Sequence, residues 1–243
     1  MTSVGRAQTV ALSHRLIVRQ LLTRGRALAL AALGAVLVLI SFAVGSADLD
    51  DPVADSVSLI DLVGFTLVVP IVALVFAAAA LGDPREDGTL VYLWLRPMDR
   101  GPIVVGAWLA AITVALPLTL PSLVISAALL PGGSDLIIAT ALSATIGVVA
   151  YCALFVLLGL LVRNPVIWGV GYVLLWEGLI AQFGTVPARI AVRGYTRSIL
   201  ASVTDVDLDL GELSVGAGIV GAGIITVAAL AVASARLNKM EID

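Results

Sequence analysis

The sequence predicts an all-α, polytopic membrane protein with six transmembrane helices, and three observations carry that expectation. Of its 243 residues, 60% are apolar and only 13% charged, against roughly a quarter charged in a soluble domain. Folded in water, such a chain would lack the polar side chains to cover itself. The apolar residues fall into continuous runs near or above the ~20 that a helix needs to cross a hydrocarbon core of about 30 Å. The basic residues also segregate. Residues 1–26 carry Arg6, Arg15, Arg19, Arg24 and Arg26 with no acid, whereas the next polar stretch carries Asp48, Asp50, Asp51, Asp55 and Asp61 with no base.

The runs place spans at Ala27–Gly45, Leu62–Leu81, Ile103–Leu130, Leu136–Val162, Val166–Phe183 and Leu213–Ala235. Inside hydrocarbon the backbone has only itself as a hydrogen-bond partner, so each span is expected to be helical. Barrel strands would alternate apolar and polar residues over about ten positions, and these runs do not. An excess of Lys and Arg marks the cytoplasmic side, which puts the N-terminus inside. Six crossings return the C-terminus, with Arg236 and Lys239, to the same side. Eleven basic residues then fall inside, and only Arg189, Arg193 and Arg197 outside. A cleaved secretory signal is the competing reading of the N-terminus, but its apolar run exceeds the usual length. The whole chain, 1–243, reads as one transmembrane domain in a cell membrane.

Taken in order, residues 1–26 place Ile17, Val18, Leu21 and Leu22 on one helical arc and Arg15, Arg19 and Arg26 on the other. That pattern suits a helix in the inner interface, its arginines toward anionic lipid headgroups. A cytoplasmic extension of the first span fits as well. The third span contains Pro117 and Pro121, which favour a bend and serve either a cavity or simple packing. Cys152, the single cysteine, lies in the fourth span, so no internal disulfide can form. After the fifth span, residues 187–200 space Arg189, Arg193 and Arg197 four apart, opposite Ile190, Ala191, Ile199 and Leu200. They read as an amphipathic helix at the outer surface, or one re-entering the membrane. The sixth span has small residues four apart, at Ala217 and Gly221 and at Gly218 and Ala222, which let helices approach closely.

The densest charge lies between the second and third spans, in GDPREDGTLVYLWLRPMDRGP, Gly82–Pro102. Asp83 is suited to cap a helix start, Pro84 fits its first position, and Glu86 sits where a capping-box acid reaches back. A short helix over 83–96 is expected to end before Pro97. It is too apolar for water and charged at both ends, which suits a helix lying at the membrane face and offering those ends to another protein. On these residues alone, however, an ordinary interfacial loop fits better.

This segment resembles the permease subunits of ABC-2-type transporters. Their pattern of E-x-G-T-L, a leucine-rich stretch, R-P, a second arginine and a new span appears here as Glu86, Gly88, Thr89, Leu90, Arg96, Pro97 and Arg100, with the span starting at Ile103. Tyr172–Leu179 followed by Arg193-Gly194-Tyr195 is similar too. The resemblance implies a type V exporter-like transmembrane domain, working as a dimer with a second permease that is identical or related. ATP and magnesium would be bound by separate cytoplasmic ATPase subunits, and no cofactor by this chain, which would itself be no enzyme. The 83–96 helix would couple to the ATPase through Glu86, Gly88, Thr89, Arg96, Pro97 and Arg100, with Glu86 and Thr89 at the contact and Arg96 and Arg100 either positioning the helix or meeting acids on the ATPase. The scarcity of intramembrane charge favours an apolar or amphiphilic cargo, and the analogy favours efflux.

The sequence holds no phosphate-binding loop of the form G-x-x-x-x-G-K-[ST]. His14 is the single histidine, with no second His or Cys near it, so no metal site is expected. Basic residues hug the span boundaries rather than gathering into a patch for nucleic acid. Glu177 is the one ionisable residue well inside a span. An intramembrane carboxylate is by default a functional candidate, either as the coupling site of an ion-driven carrier or channel or as contact to a polar substrate group. The alternative is structural pairing with Arg189 or Arg193. A membrane enzyme or assembly factor without transport is a further rival.

Overall fold

The structure is a computed structural model and describes residues 5–48, 50–86, 100–180, 191–208 and 213–239. Among these no β-strand occurs. The helices are α1 (Arg6–Leu21), α2 (Arg24–Gly45), α3 (Pro52–Glu86), α4 (Arg100–Leu129), α5 (Gly133–Leu161), α6 (Pro165–Glu177), α7 (Val192–Thr204) and α8 (Val215–Lys239). Five of them, α2, α3, α4, α5 and α8, are long and apolar enough to cross a membrane. α6 has 13 residues, so it reaches only about 20 Å. The remainder of the expected span Val166–Phe183 runs into residues 181–190, which lie outside the described residues.

α3 and α5 form the centre. α3 presents an almost continuous buried alanine run, Ala77–Ala80, and Gly159 of α5 faces it. A Cβ on Gly159 would lie 2.6 Å from the carbonyl oxygen of Ala78, so the backbones meet where no side chain fits between them. Tyr151, Phe155, Phe65 and Phe76 fill the space beyond, all fully buried. Trp108 of α4 joins this core by donating its Nε1–H to the Val149 carbonyl at 3.0 Å. α2 and α8 flank it and leave apolar faces outward, through Leu28, Leu39 and Phe42 on one and Val220, Ile224 and Val227 on the other. Such faces are stable only against lipid or another apolar surface.

The helices alternate in direction. At one end of the bundle meet the start of α2, the end of α3, the start of α4, the end of α5 and the end of α8, through Arg26–Asp83, Arg85 with Leu160 and Val162, and Arg100 with Leu237 and Asn238. At the other end Gly45 abuts Leu129 and Leu130, and Ser202 bonds the Leu213 carbonyl at 3.0 Å. α1 packs on the first half of α4. There Gly106 leaves room for Ser13, and His14 bonds the Thr113 hydroxyl at 3.0 Å. Ile17 and Leu21 are buried in that contact, while Arg15 and Arg19 are exposed.

Two expectations change. The second span is the middle of a much longer helix, which starts at Pro52 with Asp51 capping the Ala54 amide at 3.2 Å. Asp83, Pro84, Arg85 and Glu86 continue that helix rather than start a new one. A proline at the first position of a helix and a proline inside one read alike from local sequence, and burial of Gly82 and Pro84 against the bundle extends the existing helix. The rest of the expected 83–96 helix lies outside the described residues. α4, by contrast, continues through both Pro117 and Pro121 as one helix.

α3 and α6 each contain a wide, π-type turn, at Ile60–Val68 and Tyr172–Glu177. In α3 this turn precedes Pro70, which has no N–H to give the carbonyl four residues back. The Val69 amide bonds Gly64 instead, and Thr66 Oγ1 donates to the Asp61 carbonyl at 3.1 Å. In α6 the Gly178 amide reaches back five residues to Val173 at 2.9 Å. Such turns re-aim the side chains around them and are frequent at functional sites. Here each carries a buried carboxylate.

Candidate functional site

At the basic end of the bundle, three arginines tie the helices together. Arg26 pairs with Asp83 at 3.0 Å across α2 and α3, with both side chains about one-third exposed. Arg85 Nη1 donates to the Leu160 and Val162 carbonyls, at 3.0 and 3.1 Å, where α5 ends. Arg100 Nη1 does the same for α8, donating to Leu237 at 3.0 Å and Asn238 at 2.9 Å. The last carbonyls of a helix lack intrahelical partners and carry partial negative charge, so a guanidinium there satisfies both needs.

Glu86 is the last described residue of α3, and its side chain is exposed. It borders two clefts of about 240 and 270 Å³, one lined also by Arg85, Gly159 and Arg163, the other by Arg26, Asp83, Asn164 and Ile167. Of the residues singled out in the sequence, Glu86 and Arg100 therefore stand on the same end of the bundle, at the two roots of the intervening segment. Gly88, Thr89, Arg96 and Pro97 lie outside the described residues.

Deep in the bundle, Glu177 is buried, at 1% exposure. Its carboxylate accepts from the Tyr151 hydroxyl, from the Tyr172 hydroxyl at 2.9 Å and from the Val192 amide at 3.1 Å. Val192 is the first residue of α7, preceded by Ala191, whose side chain offers no cap. Glu177 thus does for α7, from another helix, what a capping side chain does within one. The expected ion pair with Arg193 is not what forms. The Arg193 guanidinium goes to Asp61 instead, because α7 turns its amide end to Glu177 and its arginines toward α3. Arg189 lies outside the described residues.

Asp61 is the hub of the second cluster. Arg193 Nη2 lies 2.8 Å from its Oδ2, and Arg197 Nε lies 3.4 Å from the same atom. At that distance the second contact is an ion pair without hydrogen-bond alignment. Side-chain exposures are 4% for Asp61, 7% for Arg193 and 18% for Arg197.

The position of α7 corrects the surface-helix alternative. Thr196 Cγ2 would lie 3.0 Å from a Cβ on Gly147, midway along α5. Val192, one turn deeper, is then level with Tyr151, which is ~27 Å from the first residue of α5 and ~15 Å from its last. α7 therefore begins more than halfway through the bundle and runs toward its acidic end. It stops at Asp205, which takes a left-handed conformation at φ 54° and breaks the helix. Its Tyr195 and Ile199 seat against Gly221 and Gly218 of α8, where a side chain would collide. The small residues of the sixth span thus receive α7, within the chain. Arg193, on the arginine face, is buried together with Ile199 and Leu200 of the opposite face.

Sequence reading missed Asp61, Arg197, Tyr151 and Tyr172 as partners. Asp61 resembled one more acid of an exposed loop. The available signal was two arginines four apart facing a lone acid at the edge of a span. Among the described residues, no three His, Cys, Asp or Glu side chains gather as a metal site would require, and Cys152 is buried with a free thiol.

The family described as ABC-2 family transporter protein matches residues 47–176. That stretch reaches from the residues before α3 to the residue before Glu177, more than half of the chain. No curated protein matches the chain.

Proposed function

The chain belongs to the ABC-2 transporter family, and on that premise we propose that it is the membrane-spanning permease subunit of an ATP-binding-cassette exporter. The observation that carries this reading is the family match itself, laid over α3, α4, α5 and α6 in a bundle with five helices able to span a membrane. ABC-2 permeases normally work with an ATPase subunit and are typically non-catalytic themselves. In this reading α6 and the residues after it make the sixth crossing. The basic end of the bundle faces the cytoplasm of a prokaryotic cell, and both termini lie there. A second permease, identical or related, completes the pathway, and ATP with magnesium is bound by the partner ATPase. The cargo is apolar or amphiphilic.

Glu86 and Arg100 frame the coupling segment, whose coupling residues in this reading include Gly88, Thr89, Arg96 and Pro97. A push from the ATPase on that segment enters α3 and α4 directly. Arg85 and Arg100 pass it to α5 and α8 through the carbonyls they hold, as a rigid-body displacement. Glu177 is an anchor for α7 rather than an ion-coupling group, since its carboxylate is already engaged by two hydroxyls and an amide.

The test is Glu86→Arg in the chain co-expressed with its ATPase. Insertion into the membrane is expected to be normal, with loss of ATPase co-purification or of the coupling between hydrolysis and transport. A variant that binds and stimulates the ATPase like the wild type would remove Glu86 from the contact. A cysteine placed at Tyr92, labelled from outside intact cells, would reverse the proposed orientation.

A further inference from the structure

Seven buried polar side-chain atoms have no hydrogen-bond partner among the described residues. Three of them, Asp61 Oδ1, Arg193 Nε and Arg197 Nε, form one cluster in the wedge between α3 and α7, and two more, Thr140 Oγ1 and Ser143 Oγ, lie on α5, which packs against both helices; the other two are Ser41 Oγ and Ser126 Oγ. Buried polar groups in a folded protein are nearly always satisfied, so such a concentration needs a physical cause. We propose that this wedge binds the anionic headgroup, phosphate or carboxylate, of an amphiphilic molecule, and that Asp61 stands in for that headgroup in the present state.

The two hydroxyls of α5 are related to this cluster by their level along the bundle. A Cβ on Gly147 would lie 3.4 Å from Val69 Cγ1, which fixes the register of α5 on α3. From there Thr140 is about 10 Å toward the start of α5, and Asp61 at most about 12 Å toward the start of α3, less in a wide turn. Arg193 and Arg197 reach Asp61 from α7. The hydroxyls are the telling members. Inside a helix a Ser or Thr ordinarily bonds the carbonyl four residues back, as Thr145 does to Ala141 at 2.8 Å and Ser198 to Gly194 at 2.7 Å. Thr140 and Ser143 do not.

The chemistry selects the ligand. The wedge offers two guanidinium N–H groups and two hydroxyls against one carboxylate oxygen, so it is rich in donors. Two arginines against one aspartate leave a formal charge of +1. Both properties suit an oxyanion, which guanidinium groups recognise through charge-assisted hydrogen bonds. Arg197 is the most exposed of the three charged groups and is where an incoming headgroup first engages. Leu62, next to Asp61, is 60% exposed and offers apolar surface to a hydrocarbon tail beside the headgroup. Binding proceeds by exchange: the ligand's oxygens take the arginines and the hydroxyls, and Asp61 gives up Arg197 and then Arg193. Calling the ligand a cargo rests on the permease reading, whereas the binding site does not.

The experiment uses the purified full chain in zwitterionic nanodiscs, titrated with dodecyl phosphate, laurate, dodecyltrimethylammonium and inorganic phosphate, with thermal unfolding as the readout. Dodecyl phosphate and laurate are expected to raise the midpoint saturably, and the ammonium compound not to. Asp61→Asn removes the internal competitor and tightens dodecyl phosphate binding about tenfold, while Arg197→Gln weakens it about tenfold. Thr140→Val is nearly isosteric and keeps the question answerable should Asp61→Asn fail to fold. It weakens binding about threefold, whereas a hydroxyl with only a structural role would leave binding unchanged. Equal responses to dodecyl phosphate and dodecyltrimethylammonium, or no change in either Asp61→Asn or Thr140→Val, would overturn the site. Inorganic phosphate binding as tightly as dodecyl phosphate would overturn the amphiphile and leave a small-anion site. Failure of binding with intact ATPase co-purification sinks the headgroup site alone; the converse result sinks the permease reading alone.

Discussion

The two charged regions of this bundle use the same residue types under opposite conditions. At the basic end, Arg26 and Asp83 meet with side chains 37% and 33% exposed; deep in the bundle, Arg193 and Asp61 meet with side chains 7% and 4% exposed. Near a surface, an ion pair gains little over its hydrated parts and contributes about 0–1 kcal/mol. In the interior the pair itself is a poor stabiliser, because both charges lose their solvent, but breaking it leaves an uncompensated charge and costs about 3–5 kcal/mol. The end arginines therefore trim helix termini, while the interior ones commit α7 to one position.

The strongest way to break this comparison is Asp61→Ala, which strands two arginines. Unfolding of the purified protein in micelles is expected to show a loss of about 3–5 kcal/mol. Replacing Asp61 with Leu and Arg193 with Met together should recover part of it, since no Asp61–Arg193 charge pair is then left to desolvate. A double variant worse than Asp61→Ala would mean the network does more than neutralise charge.

Glu177→Gln sharpens it at intermediate scale. The amide keeps one acceptor oxygen where the carboxylate has two, so one of Tyr151, Tyr172 or the Val192 amide loses its partner, at about 1–3 kcal/mol. Local exchange of the Val192 amide hydrogen should accelerate more than that of α5. A loss as large as that of Asp61→Ala would contradict the view of Glu177 as a hydrogen-bonded cap rather than a counter-ion. Smallest of all, Asp83→Ala should cost under about 1 kcal/mol, measured in the same unfolding assay. A larger loss would show that exposure is a poor guide to the worth of these pairs.

Much of the bundle was legible because the bilayer asks a one-dimensional question. Runs such as Ile103–Leu130 and Leu136–Val162 need only be long and apolar to be read as spans, and the helices Arg100–Leu129 and Gly133–Leu161 differ from them by a few residues. Asp83–Glu86 read as a helix start because a capping motif at a helix start and a proline inside a continuing helix share the same letters. Only packing against α5, through Gly82 and Gly159, distinguishes the two. The candidate site was legible in one residue, Glu177, because a carboxylate inside an apolar run is conspicuous. Its partners were not, since Tyr151 and Tyr172 look like ordinary aromatic residues of a span, and Asp61 sits in sequence beside acids that are solvated.

By itself, then, the sequence determined that this chain is helical and membrane-bound, because hydrophobic length and charge asymmetry are properties of segments. The tertiary structure alone decided that α7 buries Arg193, that its first amide rests on Glu177, and that Asp61 faces Arg193 across 132 residues of chain. Each of these depends on the depth to which α7 enters between α5 and α8. That depth is set by Thr196 against Gly147 and by Tyr195 against Gly221, contacts between residues distant in sequence that no local pattern encodes.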